Sequence, residues 1–127
     1  MIKVEQIDHV ALTVADMERS VAWYQDTLGL ERRHQDVWRV PVMLCAGTTC
    51  VALFLADVES PSPAPDPNET IGLRHFAFIL SRADFEQARS ELEQRGVEFS
   101  FEDHTIAHSL YIFDPDGYRV ELTTYEL

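Results

Sequence analysis

IDHVALTV at residues 7–14, running into DMERSVAWYQDTLGLE at 16–31, reads like a second copy of itself at LRHFAFIL, residues 73–80, running into SRADFEQARSELEQRGVE at 81–98. In each copy an apolar run with the alternation of a strand precedes a segment with helical periodicity, and a glycine closes the helix. Overlaying the copies puts His9 on His75 and Gly29 on Gly96. Carried on to the last strand of each copy, VALF at 51–54 meets VELT at 120–123, so Ala52 faces Glu121. Duplicated units that pack about a pseudo-twofold axis bring equivalent strand positions together. Two imidazoles and one carboxylate then make an N,N,O ligand set, which points to a divalent metal held by His9, His75 and Glu121.

Outward from these segments, each copy reads as strand, helix and three strands. In the first, residues 4–14 alternate as a strand, Asp16 caps a helix with Met17, Val21, Trp23, Tyr24 and Leu28 on one stripe, and Gly29 stops it. Strands are expected at about 30–36, 38–46 and 49–57, with Pro41 implying an edge or a bulge in the second of them. Val58–Thr70 holds four of the six prolines and reads as an extended, exposed linker. The second copy gives a strand at 71–80, a helix at 82–95 and strands at 97–104, 108–114 and 117–125. The expectation is one α+β domain over 1–127: a βαβββ module at 4–57, the linker at 58–70, and a second βαβββ module at 71–125.

The turn Asp114-Pro115-Asp116-Gly117 sets the register of the last two strands. Proline presets the first central dihedral of a type I turn, and glycine supplies the left-handed residue of a three-residue loop. If Asp114 pairs with Tyr118, Tyr111 stands opposite Glu121, and Ser109, Tyr111 and Phe113 share a face with Arg119, Glu121 and Thr123. A four-residue loop would turn Tyr111 away.

Composition narrows the partners. The chain has 127 residues, 46% of them hydrophobic, enough for a real core. Acidic residues number 22 against 10 basic, for a net charge of −12. That balance repels phosphate backbones and anionic lipid heads, so no nucleic acid and no membrane are expected as partners. MIKVEQID has neither a leader's apolar run nor a span, which makes the cytoplasm the expected compartment. Cys45 and Cys50 flank the turn signal AGTT and could face each other across a hairpin; free buried thiols are the expectation in a chain without an export signal.

The elements IDHVALTV, WYQDTLGL, LRHFAFIL and HSLYIFDPDGYRVEL resemble the vicinal oxygen chelate superfamily, which includes glyoxalase I, extradiol ring-cleavage dioxygenases, fosfomycin-resistance thiol transferases, methylmalonyl-CoA epimerase and bleomycin-binding proteins. The resemblance covers nearly the whole chain. It implies paired βαβββ modules forming a curled mixed sheet, a cup around a divalent metal, with His9, His75 and Glu121 at three ligand positions and a homodimer as the usual assembly. It implies that Tyr111 stands beside the substrate. One departure is informative: where glyoxalase I and the epimerase carry a fourth ligand, this chain has Ala52, which cannot ligate. A three-ligand, dioxygenase-like site acting on a small substrate chelated through adjacent oxygens fits better than a glyoxalase-like lyase or isomerase, and a metal-free binding protein of the drug-sequestering kind is the third reading. Phosphonate recognition wants more basic groups than Arg119 and Arg39.

Within that cup the expected catalytic residues are Tyr111 and His108, with His104 as the other loop histidine able to act as acid or base. Substrate contacts are expected from Arg119, Ser109, Cys50, Phe54 and Trp38, the parity of Ala52 turning Cys50 and Phe54 inward. Asp8 reads as a poor partner for His9, because neighbouring strand residues point oppositely, and His34 as a histidine without chemistry. Iron(II), manganese(II), nickel(II) and zinc(II) all suit the ligand set.

Overall fold

The computed structural model describes residues Met1–Leu127. The chain divides into two compact units, Met1–Pro63 and Ala64–Leu127, with the boundary inside the proline-rich stretch. The first contains β1 (His9–Val14), α1 (Met17–Leu28), β2 (Glu31–Arg33), β3 (Val42–Ala46) and β4 (Thr49–Leu55). The second contains β5 (Phe76–Ile79), α2 (Arg82–Gln94), β6 (Ser100–Asp103), β7 (His108–Phe113) and β8 (Arg119–Thr124). Each folds as βαβββ into a four-stranded mixed sheet, ordered β1-β4-β3-β2 in one and β5-β8-β7-β6 in the other. The first strand of each module runs parallel to its last strand, and the remaining pairs are antiparallel.

Alternation along the strands decides which face of each sheet meets its helix. In the first unit Leu12, Val14, Leu44, Val51 and Leu53 are buried on the face packed by Ser20 and Tyr24 of α1. In the second, Leu110, Ile112, Val120 and Leu122 do the same beneath Phe85 and Leu92 of α2. Each such aliphatic side chain, fully buried, contributes about 1.5–3 kcal/mol. The first helix begins at the cap expected for it, the Asp16 carboxylate accepting from Arg19 N at 3.0 Å, and α2 begins at Ser81, whose Oγ accepts from Asp84 N at 3.1 Å. Gly29 ends α1 in the left-handed region, φ 65°, and donates its N–H to Gln25 O. No helix is long and apolar enough to cross a membrane.

The strands are shorter than the alternation implied. β1 begins at His9 rather than residue 4, because its pairing with β4 begins at His9 and Cys50. β2 ends at Arg33, where His34 takes φ 64° and its carbonyl accepts from Val37 N and Trp38 N, folding the next residues into a turn. Pro41 therefore precedes β3 and neither sits in it nor bulges it, and β3 is an interior strand. The expectation of free thiols is overturned: Cys45 and Cys50 form a disulfide. They are direct cross-strand partners in the β3–β4 hairpin, their Cα atoms 4.0 Å apart, so the tight turn holds the two sulfurs together.

Candidate functional site

In the second unit the site is built by the β7–β8 hairpin. Asp114 donates its N–H to Tyr118 O, and its carboxylate accepts from Asp116 N at 2.9 Å and Tyr118 N at 2.8 Å. Gly117 closes the loop at φ 88°. This is the three-residue loop, and it sets Tyr111 directly across from Glu121. Ser109 Oγ donates to Glu121 Oε1 at 2.6 Å and lies 3.1 Å from Thr123 Oγ1.

Glu121 is 9% exposed, so its carboxylate needs partners to compensate for lost hydration. Ser109 is one. The other is His75, just before β5, whose Nε2 stands 2.8 Å from Glu121 Oε2. The opposite ring nitrogen, His75 Nδ1, is buried with no hydrogen-bond partner. Tyr111 packs edge-on against His75, centroids 5.6 Å apart. Burial first, and then the charge and hydrogen bonding of Glu121, push the Tyr111 phenol above its ordinary range. It therefore keeps its proton at neutral pH and is available as a donor.

Tyr111 is held on two further sides. The Arg119 guanidinium sits 4.0 Å from its ring centroid, and His104 Nε2 is 3.0 Å from its hydroxyl oxygen. Glu102 on β6 reaches both, His104 Nε2 at 3.5 Å and an Arg119 nitrogen at 3.9 Å. Glu102 was missed by the sequence reading. Its pairing with Ser109 places it on this face, and alternation along β6 and β7 was the signal that could have found it.

His108 does not belong to this group. It lies on the opposite face from Ser109 and Tyr111, where Arg82 of α2 approaches its Nδ1 at 2.8 Å and its ring meets Phe101. The expectation that it acts beside the carboxylate is corrected by strand alternation: its neighbour Ser109 takes the inward place.

The first unit carries the matching positions with different chemistry. Ala11 pairs with Ala52 as Ala77 pairs with Glu121, and Met43 pairs with Ala52 as Tyr111 pairs with Glu121. The register thus makes Ala52 the counterpart of Glu121 and Met43 that of Tyr111. Met43, Cys45, Cys50 and Ala52 form a buried apolar cluster, Ala52 with no exposure at all. Cys50 contributes a disulfide sulfur to that face, not a thiol. Phe54 is partly exposed near the end of β4, and Trp38 lies off the strands in the turn before β3, its ring 5.2 Å from His34. His9 opens β1, and its Nδ1 is 2.7 Å from the Asp8 carboxylate. Asp8 was read as pointing away; its carboxylate instead meets the His9 ring, while its carbonyl accepts from Cys50 N. No three His, Cys, Asp or Glu side chains come together in this structure in a group that could hold a metal ion.

A duplicated βαβββ unit with these residues defines a class. The Glyoxalase/Bleomycin resistance protein/Dioxygenase superfamily matches residues 6–122, and the chain belongs to that superfamily. It is similar to Glutathione transferase FosA from Serratia marcescens, 30% identical over 118 residues that cover 93% of this chain and 79% of that protein. It is also similar to Catechol-2,3-dioxygenase from Bacillus subtilis (strain 168), 30% identical over 91% of this chain but only 40% of the dioxygenase. The crystal structure of a glyoxalase/dioxygenase from Nostoc punctiforme shares the fold, with a TM-score of 0.77 at 22% identity over 94% of this chain and 90% of that one.

Proposed function

We propose that the chain is a divalent-metal-dependent enzyme whose ligands are His9, His75 and Glu121, acting on a small substrate bound through two adjacent oxygens. The observation that carries this reading is the buried Glu121 carboxylate facing His75 Nε2 at 2.8 Å. His75 Nε2 and Glu121 Oε2 would be the two atoms to hold such an ion, taking the place of the proton between them. His9 has an orienting carboxylate in Asp8, as metal-binding imidazoles commonly do. Its place in the repeat, matching His75, supports including it in the ligand set.

A cation held there would serve as a Lewis acid, drawing charge onto the bound oxygens of the substrate. The chain's own contribution is orientation and hydrogen bonding. Ser109 holds Glu121 in place, the Tyr111 hydroxyl donates to a substrate oxygen, and Arg119 adds positive charge beside it. Ala52 at the fourth position argues against a four-ligand lyase or isomerase and favours a site with open positions for both substrate and a second reactant. In the dioxygenase-like version, which we favour, that reactant is O₂; similarity to a glutathione transferase supports thiol transfer as the second reading.

The test is metal analysis of the purified chain, then a screen of catechols with and without air and of thiols with electrophilic acceptors. About one metal per chain and oxygen uptake with a catechol are expected. Anaerobic thiol transfer would replace the first reading with the second, and absence of metal binding after reconstitution would sink both in favour of a metal-free binding protein.

A further inference from the structure

Two residues that the proposed function does not use, His104 and Glu102, gather with Arg119 around Tyr111. His104 touches its hydroxyl, Arg119 covers its ring, and Glu102 contacts both. The same nitrogen of His104, Nε2, faces two oxygens: the Tyr111 phenol at 3.0 Å and a Glu102 carboxylate oxygen at 3.5 Å. A carboxylate is an acceptor only, so its approach to Nε2 favours the tautomer with the proton on that nitrogen. With the proton there, the phenol oxygen at 3.0 Å is the acceptor. A phenol oxygen that accepts from His104 directs its own hydrogen elsewhere.

We propose that His104 is a positioning residue that fixes the direction of the Tyr111 hydrogen bond. It donates from Nε2 to the phenol oxygen, turning the Tyr111 O–H toward the Glu121 side and a substrate oxygen bound there, while Glu102 sets the His104 tautomer. The substrate part rests on the reading of Tyr111 given above; the tautomer part does not. The backbone supports a fixed His104. Its N–H donates to Ala107 O at 2.8 Å, its carbonyl accepts from Ile106 N at 2.9 Å, and Thr105 between them holds φ 75°, braced by the Asp103 carboxylate on its N–H. The loop is thus a closed turn that presents this imidazole to the end of Tyr111.

The experiment has two arms. In the first, nitrogen-15 spectra of the histidine rings of the full metal-free chain at pH 8 report the His104 tautomer. The Nε2–H form is expected in the wild type, with a shift toward a mixture in Glu102→Gln; a wild-type ring protonated at Nδ1 alone overturns the proposal. In the second, the cobalt(II)-loaded chain is titrated with 4-nitrocatechol. Tyr111→Phe and His104→Ala should each weaken binding by about fivefold to tenfold, the loss of one hydrogen bond. The double variant should be no weaker than Tyr111→Phe, and His104→Gln, whose amide N–H can still donate, should restore binding to within about twofold. Additive losses, or no rescue by glutamine, overturn the positioning role. A wild-type cobalt chain that binds no 4-nitrocatechol overturns the substrate part along with the functional reading, while the first arm still decides His104.

Discussion

Glu121 shows most directly how a single side chain is made useful. A carboxylate with so little access to solvent loses hydration worth several kcal/mol and is retained only with compensation, here from Ser109 Oγ at 2.6 Å and His75 Nε2 at 2.8 Å. Ser109→Ala removes one of these without opening much space. In urea denaturation of the metal-free chain it should cost about 1.5–3 kcal/mol, the range for a hydrogen bond to a charged group. The same variant should bind metal about 10–100-fold more weakly, as loss of a group orienting a ligand does. His75→Ala should abolish metal binding altogether, and full metal occupancy in that variant, measured by elemental analysis after dialysis, would refute the assignment of His75.

At the scale of elements, β4 and β8 occupy the same place in their sheets yet carry opposite chemistry. Ala52 is fully buried beside Met43, Cys45 and Cys50, whereas its counterpart Glu121 has a hydroxyl and an imidazole to meet it. Ala52→Glu should therefore lower the stability of the metal-free chain by several kcal/mol, since it buries a carboxylate with no partner. If the position completes the ligand set, added metal should recover much of that loss and be retained more tightly, at the expense of any reaction needing both substrate and O₂. Thermal melts with and without metal decide this; a variant whose melting temperature metal does not raise beyond the wild-type increment would show that β4 does not face the ion. The β3–β4 hairpin carries its own test. Its disulfide closes a loop of sequence separation 5, for which chain entropy gives about 2 kcal/mol. The unfolded chain should show no titratable thiol until a reductant is added, and the Cys45→Ala, Cys50→Ala double variant should be less stable by about that amount.

For the whole molecule the expectation is a homodimer. Two βαβββ modules in one chain can complete a site by themselves or by exchange with a second copy, and a self-complementary twofold assembly is the commonest closed form. Sedimentation at micromolar concentration should give twice the 14.5 kDa chain mass, and a monomeric mass would reject the dimer. With a net charge of −12, association should strengthen on raising ionic strength, because salt screens the mutual repulsion of the copies.

The repeat, the helix cap at Asp16, the stop at Gly29 and the loop at Asp114–Gly117 were all legible in the chain by itself. They depend on local physics: alternation in strands, orphaned amides at helix starts, and a positive φ that glycine tolerates. From the loop followed the register of β7 and β8, and from the register the placing of Tyr111 and Ser109 against Glu121. What the chain did not disclose depends on where strands begin and on contacts across them. Strand ends are set by hydrogen-bond partners rather than by the residues' own preferences, so β1 starts at His9, and only the folded chain shows the Asp8 carboxylate on the His9 ring. Nothing local tells His104 from His108, two loop-side histidines four residues apart. Only the pairing of β6 with β7 sends one to the phenol of Tyr111 and the other to Arg82 on the helix face. Cys45 and Cys50 were expected as free thiols, and only the hairpin that makes them direct partners shows them joined.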